Sequence, residues 1–119
     1  MRTVRLGAAL FVLVAAGCTR EIPGAPEDAV RGFFDAVAAQ DCQRIQLHAG
    51  GTLGARLRDQ GCAATLHAFA GFVLDRVESS AVDGRDPRAW LVRVRLRGRS
   101  ETVVVRVDGR AGHWAVVSL

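Results

Sequence analysis

Residues 89–98 have the sequence Ala-Trp-Leu-Val-Arg-Val-Arg-Leu-Arg-Gly, in which apolar side chains alternate with arginines. Because successive side chains of a β-strand point to opposite faces, this alternation predicts a strand with one apolar face and one charged face. The apolar face comprises Trp90, Val92, Val94 and Leu96, and the charged face comprises Arg93, Arg95 and Arg97. The apolar face must be covered, so this strand belongs to a sheet that other elements pack against.

The rest of the second half of the chain has the same period. Valine-rich segments with interleaved polar residues occupy residues 72–82, 101–108 and 113–119, and short breaks rich in glycine or aspartate separate them. A parallel return would need a long crossover, so neighbouring strands must run antiparallel. The sequence therefore predicts a four-stranded antiparallel meander.

The first half has helical periodicity instead. Pro26 suits the first turn of a helix, and Glu27 and Asp28 complement the positive end of the helix dipole. This first helix is predicted to extend to about Gln40, with apolar residues at helical spacing: Val30, Phe33, Phe34 and Val37.

Shorter helices are predicted to follow, up to Ala68. Asp41 and Thr52 are their expected N-caps, and Gly50-Gly51 is an expected stop. Helices that precede a half-buried sheet must cover its apolar face, so the predicted class is α+β, with N-terminal helices packed on a curved four-stranded antiparallel sheet.

Residues 1–17 have the three-part layout of a secretory signal. Arg2 and Arg5 precede an apolar run over residues 6–16 that is too short to span a bilayer. The ending Ala15-Ala16-Gly17-Cys18 resembles the lipobox of bacterial lipoproteins, which implies a diacylglyceryl group on Cys18 and a membrane anchor on the extracytoplasmic side of the cell envelope. The family prefers leucine where this chain has Ala15, so cleavage after Gly17 without acylation is the alternative.

Residues 18–25 are a predicted tether and residues 26–119 a single domain. The tether contains Pro23 and Gly24 and has no apolar period. Of the 16 arginines, Arg2 and Arg5 belong to the signal, which leaves 14 against 12 acidic residues. Such a nearly balanced charge argues against a nucleic-acid partner.

Two cysteines remain beside Cys18, namely Cys42 and Cys62. An even number of cysteines in an exported domain predicts a disulfide, and closing a loop of about 20 residues would contribute roughly 3 kcal/mol. Their spacing fits neither a zinc site nor a catalytic dithiol. Two buried free thiols are the alternative.

A pattern over residues 26–119 resembles a known fold family. Phe33-Phe34-Asp35-Ala36 in the first helix, Gln40-Asp41 at its end and the closing Gly112-His113-Trp114-Ala115-Val116 are similar to nuclear transport factor two-like (cystatin-like) domains. In particular the chain resembles small lipoproteins of that group, many of which pair a cysteine after the first helix with one in a later helix. The resemblance implies a cone-shaped α+β fold.

Some members of that family are isomerases or cyclases that use an acidic base and a tyrosine or acid that donates to an oxyanion. This chain has no tyrosine, and the titratable candidates are Asp35, Asp59, Asp75, His48, His67 and His113. The histidines have no short ligand spacing, so no metal site is predicted. The sequence predicts no catalytic residue and no cofactor, and Asp35 is the base that an enzymatic alternative would use.

The arginines of the predicted sheet are the residues best suited to binding. Arg93, Arg95 and Arg97 would share a face with Arg106 of the next strand, and guanidinium groups suit phosphates and carboxylates. The alternative is an ordinary solvated face, in which the arginines pair with Glu78, Glu101 and Asp108. The sequence thus predicts a non-enzymatic module for a small ligand or an envelope partner. An isomerase-type enzyme, and an interaction domain that binds anionic envelope components through the arginines, are the alternatives.

Overall fold

The computed structural model describes residues 22–109 and 112–119. These residues form four helices followed by four strands, in agreement with the predicted α+β class. The helices are α1 (Pro26–Ala38), α2 (Cys42–His48), α3 (Gly51–Gln60) and α4 (Cys62–Ala68), and the strands are β1 (Leu74–Val82), β2 (Ala89–Leu96), β3 (Thr102–Asp108) and β4 (Ala115–Ser118). The predicted signal and Cys18 lie outside the described residues. No helix in the described part has the length and hydropathy of a membrane span.

The sheet is an open meander with the strand order β1-β2-β3-β4, and every neighbouring pair is antiparallel. Val92 of β2 pairs with Val105 of β3, and Val94 pairs with Val103. β4 also forms a parallel bridge between Val116 and Ala49, which lies at the end of α2. The predicted meander is therefore confirmed, and the helical half is joined to its last strand.

The strands are shorter than predicted because turns take up their ends. Before β1 the backbone N–H of Phe72 donates to the carbonyl of Phe69 at 3.0 Å, so the strand begins at Leu74 and not at residue 72. After β2 the N–H of Arg99 donates to the carbonyl of Leu96 at 3.2 Å, which ends the strand there. β4 covers only Ala115–Ser118 of the predicted 113–119.

One of the two predicted N-caps is confirmed. The carboxylate of Asp41 accepts a hydrogen bond from the N–H of Arg44 at 3.2 Å and so caps α2. The prediction that Thr52 caps α3 is wrong, because Gly50 occupies that position. The N–H of Gly50 donates to the carbonyl of Val116 at 2.9 Å, which holds Gly50 extended, and the helix starts at the next residue.

The core lies between the helices and the inner face of the sheet. α1 contributes Phe33 and Phe34, both buried, and Phe33 makes edge-to-face contacts with Phe34 and Phe69 at centroid distances of 5.6 and 5.3 Å. The predicted apolar face of β2 is buried at Val92, Val94 and Leu96, with Trp90 half-buried. Large side chains fill the space between the two layers: Val30, Ile45, Leu57, Val105, Val107 and Val116 are also fully buried.

A disulfide joins Cys42 and Cys62, as predicted. Each cysteine is the first residue of its helix, and their Cα atoms lie 5.7 Å apart. The bond therefore holds the starts of α2 and α4 together and closes a loop that contains α3. The alternative of two free thiols is excluded for this structure.

Candidate functional site: the arginine face of the sheet

The four helices of the described part leave one face of the sheet uncovered. Residues that pair directly across antiparallel strands lie on the same face. Arg93 pairs with Val104 and Arg95 pairs with Thr102, while Arg106 pairs with Leu91. The structure thus brings Arg93, Arg95 and Arg106 to one face. We call this surface, together with Arg97 just beyond the end of β2, the arginine face.

Arg95 is engaged by a carboxylate. Its Nη2 lies 3.3 Å from Oε2 of Glu78, and Nη2 of Arg76 lies 3.7 Å from the same oxygen. The hydroxyl of Thr102 donates to Oε1 of Glu78 at 2.7 Å, and this bond, followed by the two nearby guanidinium groups, lowers the pKa of Glu78. The ionised Glu78 offsets the charge of Arg95, whose Nε is buried and has no hydrogen-bond partner among the described residues.

Arg106 is surrounded by three carboxylates. Its guanidinium nitrogens lie 2.7 Å from Asp83, 3.7 Å from Asp86 and 3.8 Å from Asp108. The hydrogen bond to Asp83 and the nearby negative charges raise the pKa of Arg106. The negative charges of these carboxylates offset the positive charge of the guanidinium. Arg106 is therefore a structural ion-pair residue and not a site for an external anion.

Arg93 and Arg97 have a different environment. Both are exposed, and no carboxylate within residues 22–109 and 112–119 forms an ion pair with either of them. Val104, the cross-strand neighbour of Arg93, is 42% exposed. Of the expected carboxylate partners, Glu78 and Asp108 approach arginines, and Glu101 forms no ion pair in the described part. The predicted row of four cations is thus reduced to two available ones beside an exposed valine.

Arg99 does not extend this row. Its guanidinium carbon lies 4.7 Å from the ring centroid of Phe72, which is a cation–π geometry. The turn after β2 therefore directs Arg99 to an aromatic ring at the end of the sheet. The sequence alternation alone does not reveal this turn.

The acidic candidates for catalysis lie on the surface. Asp35, Asp59 and Asp75 are all exposed, and none of them lines any of the cavities described here. Asp75 accepts a hydrogen bond from Nη1 of its neighbour Arg76 at 2.8 Å. A general base must lie within reach of a bound substrate, and none of these three carboxylates lines a groove that the described residues are shown to form.

The cavities are open grooves at the rim of the core. One of about 460 Å³ lies between the start of α3 and β4 and is lined by Thr52, Arg56 and Arg106 among others. A second, of about 420 Å³, lies beside the start of α1, and a third, of about 280 Å³, is lined by apolar residues that include Phe69 and Phe72. The first groove is also lined by Asp108, whose side chain is 14% exposed and lies 3.8 Å from the guanidinium of Arg106, and the second is also lined by the exposed Asp28.

Two of the histidines line the second groove, although they are 65 residues apart in sequence. His48 and His113 both line it, together with Trp114. The ring of His48 packs on Gly32, and burial, followed by the charge of Arg44, lowers the pKa of His48 against the opposing effect of Asp35. No group of three or more histidine, cysteine or acidic side chains that could hold a metal ion occurs in the described residues.

Comparisons of the chain with protein-family models, with curated proteins and with solved structures gave no match.

Proposed function

We propose that this chain is a lipid-anchored domain on the extracytoplasmic side of a bacterial envelope, and that it acts by binding an anionic envelope partner. Two features of the sequence support export and anchoring, namely the signal over residues 1–17 and the lipobox-like ending at Cys18. The disulfide between Cys42 and Cys62 agrees with this location, because such bonds persist in oxidising compartments.

The nuclear transport factor two-like cone fold is part of this proposal. Four helices on one face of an antiparallel meander, with a disulfide after the first helix, are the features that support it. In a fold of this type a function is carried by a surface or a cavity and not by the architecture itself.

The observation that carries the binding proposal is the pair of available cations on the uncovered sheet face. Arg93 and Arg97 have no carboxylate partner in the described part of the chain, and Val104 adds exposed apolar area beside Arg93. Guanidinium groups form bidentate bonds with carboxylates and phosphates, so a partner that carries such groups fits this surface. A cell-wall polymer or an acidic protein of the envelope has this chemistry.

The two rival functions have less support. An isomerase or cyclase would need an acid at the end of an enclosed pocket, and Asp35 is exposed on α1. A small-ligand carrier would need an internal cavity, whereas Phe33, Phe34 and Leu57 fill the space between helices and sheet.

Fatty-acid labelling tests the anchor. Cells that express the full chain are labelled with an alkyne fatty acid, and the purified protein is compared with a Cys18→Ser variant. We expect label and an acyl mass on the wild type only. Equal labelling of both proteins, or none of either, would refute acylation at Cys18.

Charge reversal tests the binding surface. An Arg93→Glu/Arg97→Glu variant is compared with Arg56→Glu/Arg58→Glu, which makes the same change in net charge at two exposed positions of α3. Retention of the first variant on detergent-extracted cell walls should be roughly tenfold lower than that of the wild type, and retention of the second variant should change little. Retention of the wild type should weaken as salt is added. Equal retention of both variants would exclude the arginine face as the binding surface.

A further inference from the structure

The point at which the N-terminal segment joins the domain is fixed by two contacts. The indole Nε1 of Trp114 donates a hydrogen bond to the carbonyl of Gly24 at 3.2 Å. Ile22 and the Trp114 ring both pack over Gly109, where a Cβ would lie 2.5 Å from Cδ1 of Ile22. The chain therefore enters the domain at the end where β3 finishes and β4 begins. We call this end, defined by Ile22, Gly24, Leu47 and Trp114, the tether end.

The tether end cannot lie far from an acylated Cys18. Four residue steps separate Cys18 from Ile22, and a fully extended chain covers about 14 Å in four steps. A diacylglyceryl group contributes two acyl chains, which is enough for a stable anchor. With the thiol at the level of the headgroups, Ile22 must remain within about 14 Å of them.

The surface at the tether end is mostly apolar. Leu47 is 69% exposed, more than any of the other large hydrophobic residues in the described part. It lines the groove of about 420 Å³ that also contains the apolar residues Pro23, Ala25, Ala29 and Trp114, and at its edge the polar residues Asp28, His48 and His113. Tryptophan side chains have an apolar body and a polar N–H, and they favour the boundary between lipid and water.

We propose that the tether end docks on the phospholipid surface, with Leu47 in contact with the headgroup region, so that the anchored domain has one fixed orientation. This inference rests on the proposed acylation of Cys18. The opposite end of the sheet then points away from the membrane, because β2 spans eight residues, about 26 Å, from its start near Gly109 to its end near Val73. In this orientation Arg97 and the apolar groove beside Phe72 face the aqueous phase, away from the membrane.

Two matched tryptophan probes test the orientation. Leu47→Trp places the probe at the tether end and Val73→Trp places it at the opposite end, and both residues replaced are exposed aliphatic ones. Trp90 and Trp114 are kept, because Trp114 holds Gly24, and the wild-type signal is subtracted. The acylated full-length proteins are reconstituted in phosphatidylcholine–phosphatidylglycerol vesicles whose lipid is brominated near the headgroup end of one acyl chain, and circular dichroism checks that both variants fold.

Bromine quenches tryptophan only at short range, so the fractional quenching of the Leu47→Trp signal should be at least about twice that of the Val73→Trp signal. Equal quenching of the two probes, or no quenching of either while the protein still floats with the vesicles, would overturn the orientation and leave the anchor intact. Absence of the acyl mass on the wild type would instead refute the proposed function, and the orientation with it.

Discussion

Arg106 and Asp83 form the shortest ion pair in the described part of the chain, with 2.7 Å between Nη1 and Oδ2. Arg106 belongs to β3 and Asp83 follows β1, so the pair spans the intervening strand β2. The backbone N–H of Arg85 also donates to Asp83, at 3.0 Å, and this bond, followed by Arg106, lowers the pKa of Asp83. The contact links the two strands that flank β2 and removes Arg106 from the set of available cations.

The lowered pKa of Asp83 makes stability depend on acid. A carboxyl whose pKa is depressed in the folded state contributes stability that is present above the unfolded pKa, near pH 4, and is lost as pH falls through the folded value. Asp83→Asn should therefore lower the free energy of unfolding at neutral pH, and the difference from wild type should shrink in acid. Urea unfolding at several pH values measures this, with Asp59→Asn as the control at an exposed residue. A difference from wild type that does not change with pH would contradict the prediction.

Loss of the disulfide should destabilise the helical half. The Cys42→Ala/Cys62→Ala variant should lose about 3 kcal/mol of unfolding free energy, because the unfolded chain regains the freedom of a loop of about 20 residues. Chemical denaturation of this variant and of Cys18→Ala, which keeps the bond, gives the comparison. A loss well below about 1 kcal/mol would show that packing alone holds α2 and α4 together.

A methyl group added at Gly32 should destabilise the fold, because the ring of His48 packs against this residue. A Cβ on Gly32 would lie 2.6 Å from Nε2 of His48, so Gly32→Ala should cost about 1–3 kcal/mol through overpacking. Gly84→Ala is the control, since nothing lies within 4 Å of its Cβ position. If the ring is the obstacle, Gly32→Ala should be less costly in a His48→Ala background. An equal cost in both backgrounds would assign the effect to the helix backbone instead.

Gly109 should control how firmly the N-terminal segment is held. Its missing side chain makes room for Ile22 and the Trp114 ring, where a Cβ would lie 2.5 and 2.6 Å from the nearest atoms. Gly109→Ala should therefore release the segment around Ile22 and raise its rate of proteolytic cleavage several-fold, with little loss of global stability. Limited proteolysis read by mass spectrometry measures this rate, and Gly84→Ala again serves as control. An unchanged rate would show that this packing does not hold the segment.

Much of the fold is predictable from the sequence because local periodicity reports burial. The alternation in residues 89–98 predicted the buried Val92 and Val94 and the opposite charged face, and the spacing of Phe33 and Phe34 predicted the inner face of α1. Strand ends were less predictable. They depend on hydrogen bonds in turns, such as the one from Arg99 to Leu96, which leave no periodic signal.

The candidate site was only partly predictable. The alternation placed the arginines on one face, but which arginine meets a carboxylate depends on register and on loops. Asp83, which engages Arg106, comes from the loop after β1, and its role could not be read from spacing. The groove shared by His48 and His113 was missed for the same reason, since two distant segments meet there only after α1 packs on the sheet.

By itself, the sequence determined the α+β class, the meander, the cysteine pair and the charged face of β2. The class, the meander and the charged face follow from short-range patterns that determine which side chains leave water, and the cysteine pair follows from an even number of cysteines behind an export signal. Only the tertiary structure decided that Arg93 and Arg97 keep their charge available while Arg95 and Arg106 do not, and that Trp114 holds the entering chain at one end of the sheet. The physical reason is that ion pairs and docking contacts form between residues far apart in the chain, and their partners are set by the packing of whole elements.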